Sequence, residues 1–484
     1  MAWPTVSPSL CNDCRRNGRE PVPDVAEPFD VTVRLLCGAQ RLLPIEDFLR
    51  RIAVLLFVLP FFASSLPAQT TDWTPLREAI AAELAETGIP GAAVAVIHDN
   101  EVAFAEGFGL ADVAKKTAVT TQTRFRIGSV VKHFTAAAVV AQAQKGMVDL
   151  HAPIGTWLSD LPPRLGSLTL DQLLSHRGGV VDRLNEVKFS DDDVFAEPGS
   201  IFSYSSIGMS LAGKTAAAAS GVSFDELLTT TVLHPLGMTA TSYEAQGGDA
   251  IGYTLRRGRP RVAPLLDNAE FKPAGMLYST AADLSTYAIA FMSGRHAELV
   301  AALSTERSSI PGDYRSYGYG TVLADEGGER TVSHMGDEYG GSAFLKMVPA
   351  RGCAVVVLTN ARGRLTRSMA AALRLSCGVE SYEDVRGETS PLTASEVAEL
   401  TGRYDNYQWL EITRRGDRAL FGPWLPWWGR WLPLRRNIVR YGTDDYGVTG
   451  IPGMKEPVRF HVVRAADGSI DHFVMMARAF KRRR

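Results

Sequence analysis

The chain carries almost no net charge: its 51 basic and 53 acidic side chains leave a formal value of −2. Nothing in that balance calls for nucleic acid, an anionic membrane or an acidic partner. Metal-ligand spacing is missing too. There is no His-Glu-x-x-His and no clustered His/Cys set, so metal catalysis loses support and no metal or other cofactor is expected. The Gly-x-Ser-x-Gly elbow of α/β-hydrolases is also absent.

Cysteine is scarce, with five in 484 residues. Cys11-x-x-Cys14 has no second pair, which makes it a weak metal or redox signal, and Cys37 stands alone. Downstream only Cys353 and Cys377 remain; in an exported chain they either pair or stay free, and their spacing decides neither. Apolar runs long enough to span a bilayer are lacking as well. The run from Ile52 to Ala63 is short, follows Arg50-Arg51, and precedes the small residues Ser64-Ser65-Leu66-Pro67-Ala68. A basic, then apolar, then small-residue order describes a secretory leader near residues 50–68. It predicts an exported, periplasmic or secreted protein with no stable transmembrane anchor. Because a leader normally starts the chain, residues 1–45 read as an upstream extension of a misassigned start.

What is present is an ordinary globular composition, 45% hydrophobic and 21% charged, long enough for a large core and two domains. Four regions are expected: an extension and leader over 1–69, a first domain over 70–378, a linker over 379–395 and a small all-β domain over 396–484. The periodicity predicts a helix at 74–88, a hairpin from 92–97 and 102–107, and a helix at 129–146. Further helices are expected at 168–175, 206–220, 223–233 and after Ser279, its expected N-cap. From Tyr317 the period changes to two, predicting strands at 317–323, 330–335, 342–348 and 353–359 with a closing helix at 363–376. The first domain is thus α+β. One antiparallel sheet is made from both ends and flanked by helices, and the helices between form their own subdomain. Short alternating runs at 408–413, 418–421, 436–441, 457–463 and 471–478 predict a β-barrel or sandwich. Five of eight tryptophans fall within 409–431, a pattern that fits an aromatic core or interface better than a binding surface.

Lysines are few, and Lys132 alone has a serine three residues before it, Ser129. On a helix those positions share a face, which brings the amine beside the hydroxyl. The helix N-terminus adds partial positive charge that favours an alkoxide. This suits a serine nucleophile with a lysine base. Tyr204 opens Tyr204-Ser205-Ser206 after Pro198-Gly199, and a phenol there can share a proton with both. Ser333-His334-Met335-Gly336 closes a predicted strand, where glycine lets a substrate approach backbone N–H groups. His176, in Leu173–Gly179, reads as structural. Gly208–Thr215 satisfies the P-loop pattern, but its neighbours are helical, so no nucleotide is expected.

In order and spacing, Ser129-x-x-Lys132, Tyr204-Ser205-Ser206, His334-Met335-Gly336, Leu173–Gly179 and Ala274–Ser279 together resemble the β-lactamase-related serine hydrolases. That group includes class C β-lactamases, D-alanyl-D-alanine carboxypeptidases, D-aminopeptidases and esterases. The resemblance covers about residues 75–378 and implies the same architecture, with the site between the two subdomains; some members carry C-terminal β-barrels. It implies that Ser129 forms an acyl-enzyme, that Lys132 and Tyr204 move the proton, and that the N–H of Ser129 and one just after Gly336 form an oxyanion hole. Two positions depart from the pattern. Ser206 stands where Asn contacts the substrate amide, and His334-Met335-Gly336 stands where β-lactamases often have Lys-Thr-Gly. Both point away from a dedicated β-lactamase. Asp337 and Glu338 beyond suit a substrate amine or, more simply, a solvated turn. The expectation is a serine hydrolase acting on a D-amino-acid peptide or small ester. The rivals are a class C-like β-lactamase and a penicillin-recognising sensor with poor turnover.

Overall fold

Two separated stretches of alternating sequence meet in one sheet. In the computed structural model, residues 71–182, 188–265, 267–380, 388–406, 408–427, 430–433, 435–451 and 456–483 are described. The expected leader, the extension and Trp428 lie outside them, as do the side chains of the remaining tryptophans in 409–431. Among the described residues no helix is long and apolar enough to cross a membrane.

The central sheet is antiparallel. From one edge it runs through Thr117–Ala118, Glu101–Asp112, Gly91–His98, Cys353–Thr359, Gly341–Val348, Glu329–Glu338, Val322–Glu326, Ser316–Tyr317 and Ser308–Ser309. The strand Gly91–His98 joins the two halves by pairing with Glu101–Asp112 on one side and Cys353–Thr359 on the other. Its side chains alternate between faces. Ala92, Val94 and Val96 pack on Leu76 and Ile80 of the helix Thr74–Thr87 and on Met369 and Leu373 of the helix Thr366–Cys377. Ala93, Ala95 and Ile97 face the larger core built on the helices Val131–Gln144, Ser206–Ser220 and Ala281–Met292. With both faces covered, the strand Cys353–Thr359 is a continuous apolar run over Ala354-Val355-Val356-Val357-Leu358. Each fully buried Leu, Val or Phe contributes about 1.5–3 kcal/mol.

After the helix Ala394–Leu400, the strands of residues 402–482 follow one another in up-and-down order. Gly402–Asn406 pairs with Arg478–Arg482, and Gln408–Arg415 with Arg418–Trp427, so the ring closes into a barrel. Tyr404, Phe421, Phe460 and Phe473 fill it.

Three expectations change. Thr280, not Ser279, caps the helix Ala281–Met292: its hydroxyl accepts the Asp283 N–H at 3.0 Å, while Ser279 lies in a short strand and meets the Thr241 hydroxyl at 2.8 Å. The strand expected over 317–323 breaks at Gly318–Thr321. There Gly320, in the left-handed region, passes so near the Lys132 carbonyl that a Cβ would sit 2.3 Å from it. The run 471–478 is not one strand. It turns at Met476–Ala477 into Ile470–Met475 and Arg478–Arg482.

Candidate active site

Ser129 lies in a 3₁₀ turn, Gly128–Val130, that leads into the helix Val131–Gln144. The turn is held from both sides. The Ile127 N–H donates to the Leu277 carbonyl at 2.9 Å. On the other side the strand Glu329–Glu338 presses against it at Gly336, where a Cβ would stand 1.9 Å from the Ile127 carbonyl oxygen and 2.9 Å from the Ser129 nitrogen. Only glycine permits this backbone contact. The Asp337 nitrogen comes within 3.0 Å of where a Gly128 Cβ would be. The backbone nitrogens of Ser129 and Asp337 therefore both lie at this contact between strand and turn.

Lys132, one turn into the helix, is fully buried. Its Nζ donates to Ser129 Oγ at 3.0 Å and to the Ala274 carbonyl at 2.8 Å. Burial disfavours its charge and lowers its pKa from 10.5 to about 7, with Arg478 adding to the fall and Asp182 and Glu338 opposing it. The Ala274 carbonyl is fixed by its neighbour, because the Thr135 hydroxyl donates to the Pro273 carbonyl at 2.6 Å.

Tyr204 completes the group. Its phenol hydrogen-bonds with Ser129, and the Lys132 nitrogen lies 4.9 Å from its ring centre. Burial pushes the phenol well above its ordinary range, with the Ser129 hydrogen bond and Arg478 partly offsetting that. The three residues read from sequence as nucleophile, base and phenol are thus brought together.

The other candidates are placed differently. Ser206 is buried in the first turn of its helix, behind the N-cap Ser205, and its N–H donates to Asp182 Oδ1 at 2.8 Å. His334 is buried beside the site, with Nδ1 2.6 Å from the Met335 carbonyl and Nε2 3.0 Å from the Tyr317 hydroxyl. Nδ1 must donate to a carbonyl, so Nε2 accepts from the phenol, and the ring has no free donor for a substrate. Burial and nearby Lys132 hold its pKa well below 6.5, which leaves it neutral. The Asp337 carboxylate accepts from the Ser342 hydroxyl at 2.6 Å and lies 3.8 Å from Arg364, so the side chain is engaged away from Ser129. Glu338 is no solvated turn: half-buried, it lies in a strand, pairs with Arg126 at 2.6 Å and accepts the Met276 N–H at 2.5 Å. The His176 ring packs at a tilt against Tyr204, with centroids 4.3 Å apart, and its Nδ1 accepts the Ser205 N–H. The P-loop-like stretch lies inside the helix Ser206–Ser220. Among the described residues no three His, Cys, Asp or Glu side chains cluster as a metal site.

Asp182 and Arg478 adjoin this group without having been singled out from sequence, while Ala274 and Glu338 were named there but not as partners of Lys132. Arg478 ion-pairs with Asp182 at 2.5 Å and lies 5.1 Å from the Tyr204 ring centre. Nothing local marks such partners, which lie up to 296 residues apart.

Similarity to known proteins agrees with this arrangement. Protein flp of Staphylococcus aureus is 26% identical over 304 residues, a match covering 57% of this chain and about three fifths (61%) of flp. SurE, solved alone and with D-Leu, is 25% identical in the former structure, which covers 84% of this chain and 99% of SurE with a TM-score of 0.69. A class C β-lactamase from Rhodobacter sphaeroides shares the fold at 21% identity and a TM-score of 0.55, over 61% of this chain and 97% of the enzyme. The Beta-lactamase family itself matches residues 76–377, which hold every residue of the Ser129 group and well over half of the sequence. The chain belongs to the Beta-lactamase family.

Proposed function

We propose that this protein is a serine hydrolase that cleaves an amide or ester through an acyl-enzyme on Ser129. The observation that carries the reading is the buried Lys132 amine, 3.0 Å from the Ser129 hydroxyl and with a pKa lowered to about 7. A large part of the Lys132 population is then neutral near neutral pH and able to accept the hydroxyl proton. The Tyr204 phenol is protonated at that pH; it gives its proton to the leaving group and is reprotonated with the one Lys132 took from Ser129, so both groups return to their starting state. As Ser129 Oγ attacks, the N–H groups of Ser129 and Asp337 receive the developing negative charge. One such donor is typically worth about 3–4 kcal/mol. Water then releases the acyl group.

The substrate we propose is a D-amino-acid peptide or a small ester. His334 is neutral with both nitrogens engaged, and Ser206 is a short residue whose N–H is already bonded to Asp182. Neither supplies the cation or the long amide that a dedicated β-lactamase would use on its substrate. The D-Leu in one SurE structure is in keeping with the choice of D-amino acids. We further propose export, on the leader-like order at residues 50–68.

The test is intact mass after incubation with a penicillin, a D-alanyl amide and a nitrophenyl ester. Turnover with a transient adduct on Ser129 is expected for the amide or ester. A penicillin adduct that never decays would instead favour a sensor, and rapid penicillin hydrolysis a β-lactamase. Full activity in Ser129→Ala would remove the reading altogether. N-terminal sequencing of secreted material tests the export.

A further inference from the structure

The barrel reaches into the catalytic group through one turn. Met476 and Ala477, at φ 51° and 64°, hold the left-handed conformation that side chains disfavour, and no glycine relieves it. The turn presents the Ala477 carbonyl to the Tyr204 N–H at 2.9 Å. Two residues on, the Ala479 N–H donates to the Ser203 hydroxyl at 3.2 Å, and the Asn406 amide bonds the Ala479 carbonyl at 2.7 Å. Between these bonds stands Arg478. Its guanidinium lies 5.1 Å from the Tyr204 ring centre and grips Asp182 Oδ2 through two nitrogens, at 2.5 and 2.7 Å. Asp182 Oδ1 in turn accepts the Ser206 N–H at 2.8 Å. Residues 203–206 are therefore fastened on each side of the phenol, either by the barrel directly or by the carboxylate that the barrel holds.

We propose that Arg478, acting with Asp182, is a positioning residue that aims the Tyr204 phenol at Ser129, so that the barrel completes the hydrolase site. The inference rests on the acyl-enzyme reading above. Besides Lys132, the groups facing the phenol are His176, His334 and Tyr317, all kept uncharged by burial, and the Arg478–Asp182 pair itself. Two further carboxylates act here, Asp337 on the phenol and Glu338 on Lys132, each raising the pKa it touches. The pair's two members act on Lys132 with opposite sign: Arg478 lowers the Lys132 pKa and Asp182 raises it.

The experiment compares Arg478→Ala, Arg478→Lys and Asp182→Asn in the full chain, using a nitrophenyl ester across pH and hydrogen exchange of peptides covering residues 203–206. Arg478→Ala is expected to lower kcat about 10- to 100-fold, as a misaimed group does, with KM changed less than about threefold. Its acid limb should move to higher pH and that of Asp182→Asn to lower pH, while Arg478→Lys restores the limb and part of the rate. Exchange in 203–206 should quicken about tenfold in Arg478→Ala. Unchanged kcat and limb in a folded Arg478→Ala overturns the proposal. So does a loss confined to KM, which would make Arg478 a substrate contact, and so does unchanged exchange. A wild-type protein that never acylates sinks the hydrolase reading instead, and the exchange measurement still decides whether Arg478 holds Tyr204.

Discussion

Lys132 Nζ lies 3.0 Å from the Ser129 hydroxyl, and its other partner, 2.8 Å away, is the Ala274 carbonyl rather than a carboxylate. A carboxylate would hold the amine charged; a carbonyl accepts its N–H without doing so. With the pKa lowered to about 7, the neutral form grows as pH rises through that value. Acylation should climb about tenfold per pH unit below 7 and level off above it. A rate profile whose acid limb stayed near 10 would contradict the assignment. Lys132→Met should lower the plateau about 10²- to 10⁴-fold.

A buried hydrogen bond from Thr135 to the Pro273 carbonyl ties down the segment that supplies this carbonyl, alongside the Tyr243 hydroxyl on the Lys272 carbonyl. Thr135→Val keeps the volume and leaves that carbonyl without its donor. Urea unfolding should show a loss of about 1–3 kcal/mol. The acid limb should shift as the Ala274 carbonyl is released from its place. A stability change with no kinetic effect would show that the carbonyl stays put regardless.

Gly336 allows a strand backbone to lie on the nucleophile turn. In Gly336→Ala the new methyl would fall 1.9 Å from the Ile127 carbonyl oxygen, so strand and turn must part. Acylation of Ser129 should be lost by about two to three orders of magnitude, the cost of one misplaced oxyanion donor. A folded Gly336→Ala protein with wild-type acylation would show that the Asp337 N–H takes no part.

Buried and exposed ion pairs should separate clearly. Glu338 and Arg126 keep 14% and 11% of their side-chain exposure. Removing one partner in Glu338→Ala leaves a charge in a dry place, so about 3–5 kcal/mol should be lost in denaturant titration. Asp325 and Arg330, 74% and 39% exposed, are bonded at 3.4 Å. Asp325→Ala should change stability by less than about 1 kcal/mol.

The two thiols of the first domain differ in reactivity. Cys353 is buried, and its pKa is pushed upward by its contact with Cys377 and by burial. Cys377 is partly exposed, and its pKa is lowered by the hydrogen bond from Cys353. The thiolate is the nucleophile, so maleimide should modify Cys377 first in native protein. Peptide mapping that found Cys353 labelled first would reverse the order.

Much of the site was legible because its chemistry is local. Ser129 and Lys132 share one helical face, and Gly336 ends an alternating strand. The central sheet was legible for the same reason, since apolar alternation over 342–348 and 353–359 needs no distant partner to be read. The barrel turn was not. Met476 and Ala477 adopt left-handed φ without the glycine or asparagine that marks such turns, so residues 471–478 read as one alternating run. Glu338 misled in the opposite way. An acidic pair after Gly336 suggests solvent, yet tertiary packing supplies Arg126 and leaves the Glu338 side chain only 14% exposed. The Ala274 carbonyl carries no sequence signal at all, because every residue has one.

The low pKa of Lys132 belongs to the assembled molecule and not to the lysine. When the surrounding core opens, the amine is rehydrated, returns toward its ordinary 10.5, and takes up a proton. Ser129 is then one hydroxyl among many. An acylating probe would consequently count native molecules: its labelled fraction along a denaturant series would trace the integrity of segments as far apart as residues 129, 204, 274 and 336, in a single band on a gel.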